Sequence, residues 1–237
     1  MKKKTITWLI TGVLSAGIIG GGAYALMNNY LGNNVEIESI IPANNPSGNN
    51  SEQTASASGA AISQDLVNGN WEITDDSKVY FSVTTSKETV NFVNNVVSGQ
   101  WQLDVNDLAQ STATGTIDMN TVDSSNAQRD EHIKSADYFD VAQFPNAIFK
   151  TSSFEGLPTD WTEGATYDFT MTGTLNVRGI DKEVTFAGTV MYKDEQLLLS
   201  GSTMVTFDDF GLENPHSVVL STENDIQVRL ELALSKS

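Results

Sequence analysis

The stretch Tyr167-Asp168-Phe169-Thr170-Met171-Thr172-Gly173-Thr174-Leu175-Asn176-Val177 alternates strictly. Phe169, Met171, Gly173, Leu175 and Val177 share one face, while Thr170, Thr172, Thr174 and Asn176 share the other. That is the pattern of a strand with one side on a core and one side in water. The turn-like Arg178-Gly179-Ile180-Asp181 follows, and Val184, Phe186, Gly188 and Val190 then repeat the alternation. A second short connection, Tyr192-Lys193-Asp194-Glu195, leads into a strand over 196–207, where Leu197-Leu198-Leu199 hides which parity faces inward. Upstream, Val79, Phe81 and Val83 share a face; at the end, Ile226, Val228, Leu230, Leu232 and Leu234 do the same.

Connections this short join antiparallel neighbours and leave no room for crossover helices. Gly115, Gly173, Gly188 and Gly201 fall inside strand patterns, where glycine marks a bend, a bulge or a close approach, as a sheet that curls on itself requires. Only 126–138 breaks the pattern, with Ala127, Glu131, His132 and Lys134 favouring helix and Ser135-Ala136-Asp137 placed to end it. The expected fold is all-β, an eight-stranded antiparallel barrel with one short helical insertion. An interior of that size is either filled by side chains or shaped around one small ligand, and periodicity does not choose between the two.

Working outward to the N-terminus, Lys2, Lys3 and Lys4 precede Ile6 to Leu26, a run without a charge. This is an export signal, with the positive residues remaining on the cytoplasmic side. Ala23-Tyr24-Ala25 fits a cleavage site, whereas a run of this length at ~1.5 Å per helical residue also fits an uncleaved membrane anchor. Both fates place the rest of the chain outside the cytoplasm, anchored to the cytoplasmic membrane or secreted. The expected division is a signal peptide or membrane anchor over 1–27, a disordered linker rich in Asn, Ser and Gly over 28–65, and the barrel over 66–237. Val35, Ile37, Ile40 and Ile41 are a brief extended exception within the linker.

The formal net charge is −17, and three of the thirteen basic residues lie among the first four positions, leaving ten basic against thirty acidic residues beyond the apolar run. Such a surface repels phosphate backbones, so no nucleic-acid partner is expected; the acidity reads as a solubilising surface. With no cysteine, the domain lacks disulfides, thiolate metal sites and a cysteine nucleophile.

The run Ala127-Gln128-Arg129-Asp130-Glu131-His132-Ile133-Lys134-Ser135-Ala136-Asp137-Tyr138-Phe139-Asp140, followed by Phe144-Pro145 and Ile148-Phe149, resembles the signature of the YceI-like family. Thr172 to Ile180 and Asp209-Phe210-Gly211-Leu212 match as well, in the family's order and spacing, and the similarity extends from about Trp71 to Leu234. The resemblance implies a lipocalin-like barrel, exported, that holds a polyisoprenoid or isoprenoid-quinone-like lipid in its lumen, with no catalytic constellation. One departure stands out. Asp208 and Asp209 occupy positions before the Phe-Gly pair where the family commonly has basic residues, and Tyr138 replaces a frequent Phe.

Joined to the strand parity, the resemblance makes Phe81, Val83, Phe149, Phe169, Met171, Leu175 and Phe186 the expected lumen walls. Phe139 and Phe144 are expected to shape one end, with Arg129 and His132 beside a polar headgroup. The plainer reading of Arg129, Asp130, Glu131 and His132 is a network that pins the helix to the barrel. Metal and cofactor sites are not expected, since His132 and His216 are the only imidazoles and a metal takes three or four ligands. The chain lacks Gly-x-Ser-x-Gly, His-Glu-x-x-His and a glycine-rich phosphate loop. No enzymatic activity is expected; a hydrolase, or a filled barrel acting as a surface or stress module without ligand, is the alternative.

Overall fold

The computed structural model describes residues 32, 35–42, 59–214 and 221–237. The expected anchor over 6–26, its cleavage site and His216 lie outside the described residues.

Thirteen strands build the fold among the described residues: β1 Ala61–Ile62, β2 Gly69–Ile73, β3 Lys78–Thr85, β4 Thr89–Asn94, β5 Val97–Ser98, β6 Gln100–Leu103, β7 Thr112–Asp118, β8 Asn146–Glu155, β9 Trp161–Thr162, β10 Thr166–Val177, β11 Ile180–Lys193, β12 Gln196–Thr206 and β13 Thr222–Lys236. Two helices join them, α1 Gln64–Val67 at the start and α2 Ala127–Lys134 between β7 and β8. β2 and β3 both pair with β13, at Leu234↔Ile73 and Leu230↔Val79, so they form two halves of one bent wall strand. β4, β5 and β6 follow the same logic on the next wall position, against β3, β7 and β2. The ring is then β2/β3, β4–β6, β7, β8, β10, β11, β12 and β13, and the β12–β13 pairing from Gln196↔Ser235 to Thr206↔Asp225 closes it. The closed eight-position antiparallel barrel is the architecture the alternation predicts.

The tight hairpins have left-handed centres: Arg178 at φ 52° with Gly179 at 77°, and Asp194 at 50° with Glu195 at 62°. Positive φ at both central residues matches the right-handed twist of the flanking strands. Gly173 is required by close approach. A Cβ there would lie 2.3 Å from the Lys150 carbonyl oxygen and 2.7 Å from the Phe149 ring, at the point where the β8–β10 register shifts.

Connectivity gives the barrel two unlike ends. The mouth carries the β3–β4 turn, the 119–145 segment with α2, the β10–β11 turn and the connection after β12. The base carries α1, the β1–β9 pair, the β6–β7 and β8–β10 loops and the β11–β12 turn. At the mouth, α2 begins at Asn126, whose side chain accepts the Arg129 amide. Buried Asp130 accepts from the Ser124 amide at 2.9 Å and its hydroxyl at 2.6 Å. Arg178 Nη2 donates to the Ala136 carbonyl at 2.9 Å, tying the β10–β11 turn to this segment.

The stretch expected as linker is not uniform. Residues 35–42 run extended along the outside of the barrel as a strap. Asn91 Nδ2 donates to the Val35 carbonyl (2.9 Å), Lys78 pairs with Glu38, and the Ile40 amide donates to Glu231 Oε2 (2.8 Å). Ile41 then packs on Met191, Leu198 and Ala233 to make a small apolar cluster outside the barrel. This resolves the Leu197-Leu198-Leu199 ambiguity. Leu197 and Leu199 point into the core and Leu198 points out beneath the strap, so all three are buried. Glu231, only 1% exposed, is covered on the same outer face, where it also accepts from Ser200 Oγ and pairs with Arg229. Residues 61–67 join the base through β1 and α1.

Candidate ligand site inside the barrel

The lumen has a filled half and an open half. Toward the base, Trp71 donates from Nε1 to the Val67 carbonyl at 2.8 Å and meets Tyr192 edge-on at 6.4 Å. Trp101 packs on Phe154 at 5.5 Å, and Trp161 tilts against Tyr167 at 5.0 Å while its Nε1 donates to the Pro158 carbonyl. With Leu197, Leu199 and Leu234, these side chains close the bottom as a continuous core.

Toward the mouth the inward faces stay apolar but are only partly buried. Phe81, Ile117, Phe149, Val177 and Val228 stand on inward positions and retain solvent contact. Phe81 stacks on Phe92 at 4.5 Å and receives Phe139 edge-on at 5.6 Å. Phe149 meets Phe186 edge-on at 5.3 Å. Gly115 stands opposite Phe149 on β7. A Cβ at Gly115 would meet nothing within 4 Å among the described residues, so a side chain begun there has open space at its root.

Two polar features break this wall. Val90, Phe92 and Asn94 alternate inward on β4, opposite Val83, Phe81 and Val79. Asn94 is 1% exposed and its Oδ1 has no hydrogen-bond partner among the described residues, a state that costs free energy until a donor is supplied. At the rim, Lys182 lies opposite Leu175 and so shares the lumen face, and it pairs with Asp209. Asp209 Oδ2 also accepts the Thr206 amide at 2.9 Å, and its own amide donates to Thr206 Oγ1 at 3.2 Å. The Lys182 ammonium holds the Asp209 carboxyl below the usual carboxylate range, against a weaker opposing effect of burial. A carboxyl that stays ionised in this way is poorly suited to donate a proton, and Asp209 serves the turn and the rim.

A pH dependence follows. Because the folded pKa of Asp209 is depressed, its contribution to stability is present above its ordinary pKa of about 4 and disappears as pH falls through the lowered value. Asp209→Asn is expected to lower stability at pH 7 by no more than about 1 kcal/mol, given the exposure of Lys182. The two proteins should converge in denaturant titrations once pH has fallen through that lowered value, and a difference that persists there would assign the effect to the turn alone.

The candidate residues divide accordingly. Phe81, Val83, Phe149 and Leu175 line the open half, with Phe186 beneath Phe149. Phe169 and Met171 face inward but are fully packed in the core. Phe139 covers Phe81, whereas Phe144 packs against Gly179 in the β10–β11 turn, where a Cβ would lie 2.9 Å from its ring. Arg129 and His132 are not on the lumen face. Arg129 is buried in α2 and its Nη2 donates to the Gly32 carbonyl at 2.9 Å; His132 is exposed and lies edge-on to Tyr138 at 4.9 Å. Arg129 and Asp130 tie α2 to Gly32 and to Ser124. Asn94, Gly115 and Lys182 are the site residues that sequence reading missed. For Asn94 the signal was its inward parity after Val90 and Phe92.

A family model, the YceI-like domain, matches residues 71–234. A UPF0312 protein of Pseudomonas putida is 31% identical over 121 residues, which is 48% of this chain and 59% of that relative. A UPF0312 protein of Vibrio cholerae is 28% identical over 119 residues, 50% of this chain and 62% of that relative. The chain therefore spans about three fifths of the length of these relatives. Among solved structures, Burkholderia cenocepacia BcnA superposes with a TM-score of 0.57 at 20% identity, covering 68% of this chain and 98% of that one. A polyisoprenoid binding domain from Saccharophagus degradans, implicated in plant cell wall breakdown, gives 0.57 at 16% identity, covering 70% and 98%. At these identities the likeness concerns the fold.

Proposed function

We propose, for a chain that belongs to the YceI-like domain family, that the open half of the barrel holds a polyisoprenoid or isoprenoid-quinone-like lipid, carried at the outer face of the cytoplasmic membrane with residues 6–26 as the anchor. The observation that carries this reading is an apolar lumen face, partly buried at Phe81, Ile117, Phe149 and Val228 and with open space at Gly115 among the described residues, above a base closed by tryptophans. A flexible hydrocarbon chain gains about 0.8 kcal/mol for each buried methylene-sized unit, offset by its lost freedom. A rigid or polar ligand has less to gain from such walls. The Asn94 Oδ1, without a hydrogen-bond partner among the described residues, suits a lipid that also carries one hydrogen-bond donor, such as a prenol or quinol hydroxyl.

Native mass spectrometry of the purified protein tests this. The expected result is a bound species whose masses step by the five-carbon isoprene unit. Asn94→Leu is expected to stabilise the lipid-free protein by about 1 kcal/mol, because a buried unpaired polar group is removed, and to weaken retention of hydroxyl-bearing isoprenoids relative to their hydrocarbon analogues. A folded protein that never retains an isoprenoid, from cells or after incubation with prenol or quinol, returns the barrel to the ligand-free surface-module reading.

A further inference from the structure

We infer that the strap holds the barrel with its mouth toward the membrane, and that the rim around Ile180 docks on the lipid bilayer. This rests on the anchored state proposed above and adds an orientation to it. Gly32 is fixed at the mouth end, where its amide donates to Glu88 Oε1 (2.6 Å) in the β3–β4 turn and its carbonyl accepts from Arg129 Nη2 (2.9 Å) in α2. From there the chain descends the outer wall past Asn91, Lys78 and Tyr80, reaching Glu231 and the Met191, Leu198 and Ala233 patch. Val35 and Ile37 are half-buried and alternate with exposed Glu36 and Glu38, so the segment uses one side of an extended chain to grip the wall.

The strap changes the length of the tether. A free linker from Leu26 to Gly59 could extend roughly 110 Å, whereas six residues from Leu26 to Gly32 reach about 20 Å at ~3.3–3.6 Å each. The wall strands β10 and β11 are 12 and 14 residues long; at ~3.3 Å per residue and a tilt near 40°, the base lies about 30 Å from the mouth. A tether of about 20 Å rooted at the mouth is too short to turn the base to the bilayer around a body of that height. Ile180, 40% exposed, shares the lumen face with Val177 at the rim and supplies an apolar contact. The acidic surface repels anionic headgroups, so the orientation must come from the tether and the apolar rim against that repulsion. A lipid could then pass between bilayer and lumen without crossing water.

The absence of cysteine makes single-cysteine labelling clean. Ile180→Cys at the mouth and Leu66→Cys at the base, where Leu66 is 48% exposed, each carry an environment-sensitive fluorophore. The full-length chain is reconstituted in phosphatidylethanolamine–phosphatidylglycerol vesicles containing a headgroup-quencher lipid. The mouth label is expected to lose most of its emission and the base label to keep it. Equal quenching, the reverse order, or a mature chain beginning at Leu26 that leaves the vesicles overturns the inference. Ile41→Asp places a charge on the Met191, Leu198 and Ala233 patch and frees the strap, and is expected to flatten the difference between labels while the barrel still melts cooperatively. If the difference survives in that variant, the strap does not set the orientation. Isoprenoid retention measured on the same vesicles separates the two readings. A mouth-down label without bound lipid leaves the orientation standing and removes the lipid, and bound lipid without the label difference does the opposite.

Discussion

Gly115→Trp is expected to abolish isoprenoid retention while leaving a folded barrel that melts no lower than the parent. The position faces the lumen across from Phe149, and a side chain grown from it enters empty space among the described residues. Glycine inside a strand is less stable than a residue with a side chain by roughly 0.5–1 kcal/mol, and an indole filling an apolar void adds favourable contacts. The lipid-free protein therefore gains stability, which for a domain of this size corresponds to about 2–4 °C per kcal/mol. The same indole takes the room of about one five-carbon unit. At ~0.8 kcal/mol per buried carbon, part of it recovered by rearrangement, binding weakens by about 2–4 kcal/mol, or roughly 30- to 1,000-fold. Gly115→Leu should fall between parent and Trp variant. Retention of the same lipid by a folded Gly115→Trp protein, measured by native mass spectrometry beside a melting curve, would remove the space beside Gly115 from the site. The opposed directions of the two readouts make the test specific, since a misfolded variant would lose both.

The barrel was legible because β10, and β11 and β13 outside the footprint of the strap, bury one face, and one buried face is what a period of two reports. Legibility failed where both faces of a strand are covered. At Leu197-Leu198-Leu199 the core takes the odd positions and the strap takes Leu198, so no alternation is left to read. The strap itself is a short alternating piece, Val35 to Ile41, in an Asn-rich tract. Its partners lie on β4, β3, β11, β12 and β13, and no local pattern announces contacts across about 40 to 190 positions. Sequence reading chose Arg129 and His132 for their chemistry, but α2 lies across the mouth and turns them to Gly32 and to solvent. Asn94 could have been found, because an amide at an inward parity position is an exception to the pattern that surrounds it. Lys182 is the same kind of exception on the face of Val184 and Phe186.

Trp71→Ala is expected to destabilise the domain by about 3–5 kcal/mol, the range for deleting a buried large aromatic side chain. Trp71 is 1% exposed, its Nε1 donates to the Val67 carbonyl, and its ring meets Tyr192. Truncation opens a cavity at the base and leaves the Val67 carbonyl without its donor. Against a total stability of about 5–15 kcal/mol, that is a large fraction, and thermal or urea unfolding should fall well below the parent. A loss under about 1 kcal/mol would mean that the base collapses around the gap and that the tryptophans do not act as a plug. The lipid readout points the other way. The open half is walled by Phe81, Phe149, Leu175 and Val228, none of which contacts Trp71 through the ring pairs of the base. At a temperature where Trp71→Ala is still folded, it should therefore keep its isoprenoid. The packed Phe169 and Met171 layer lies between the open half and Trp71, so the bound chain lengths should be those of the parent. A shift toward longer chains would show that the ligand space reaches down to Trp71.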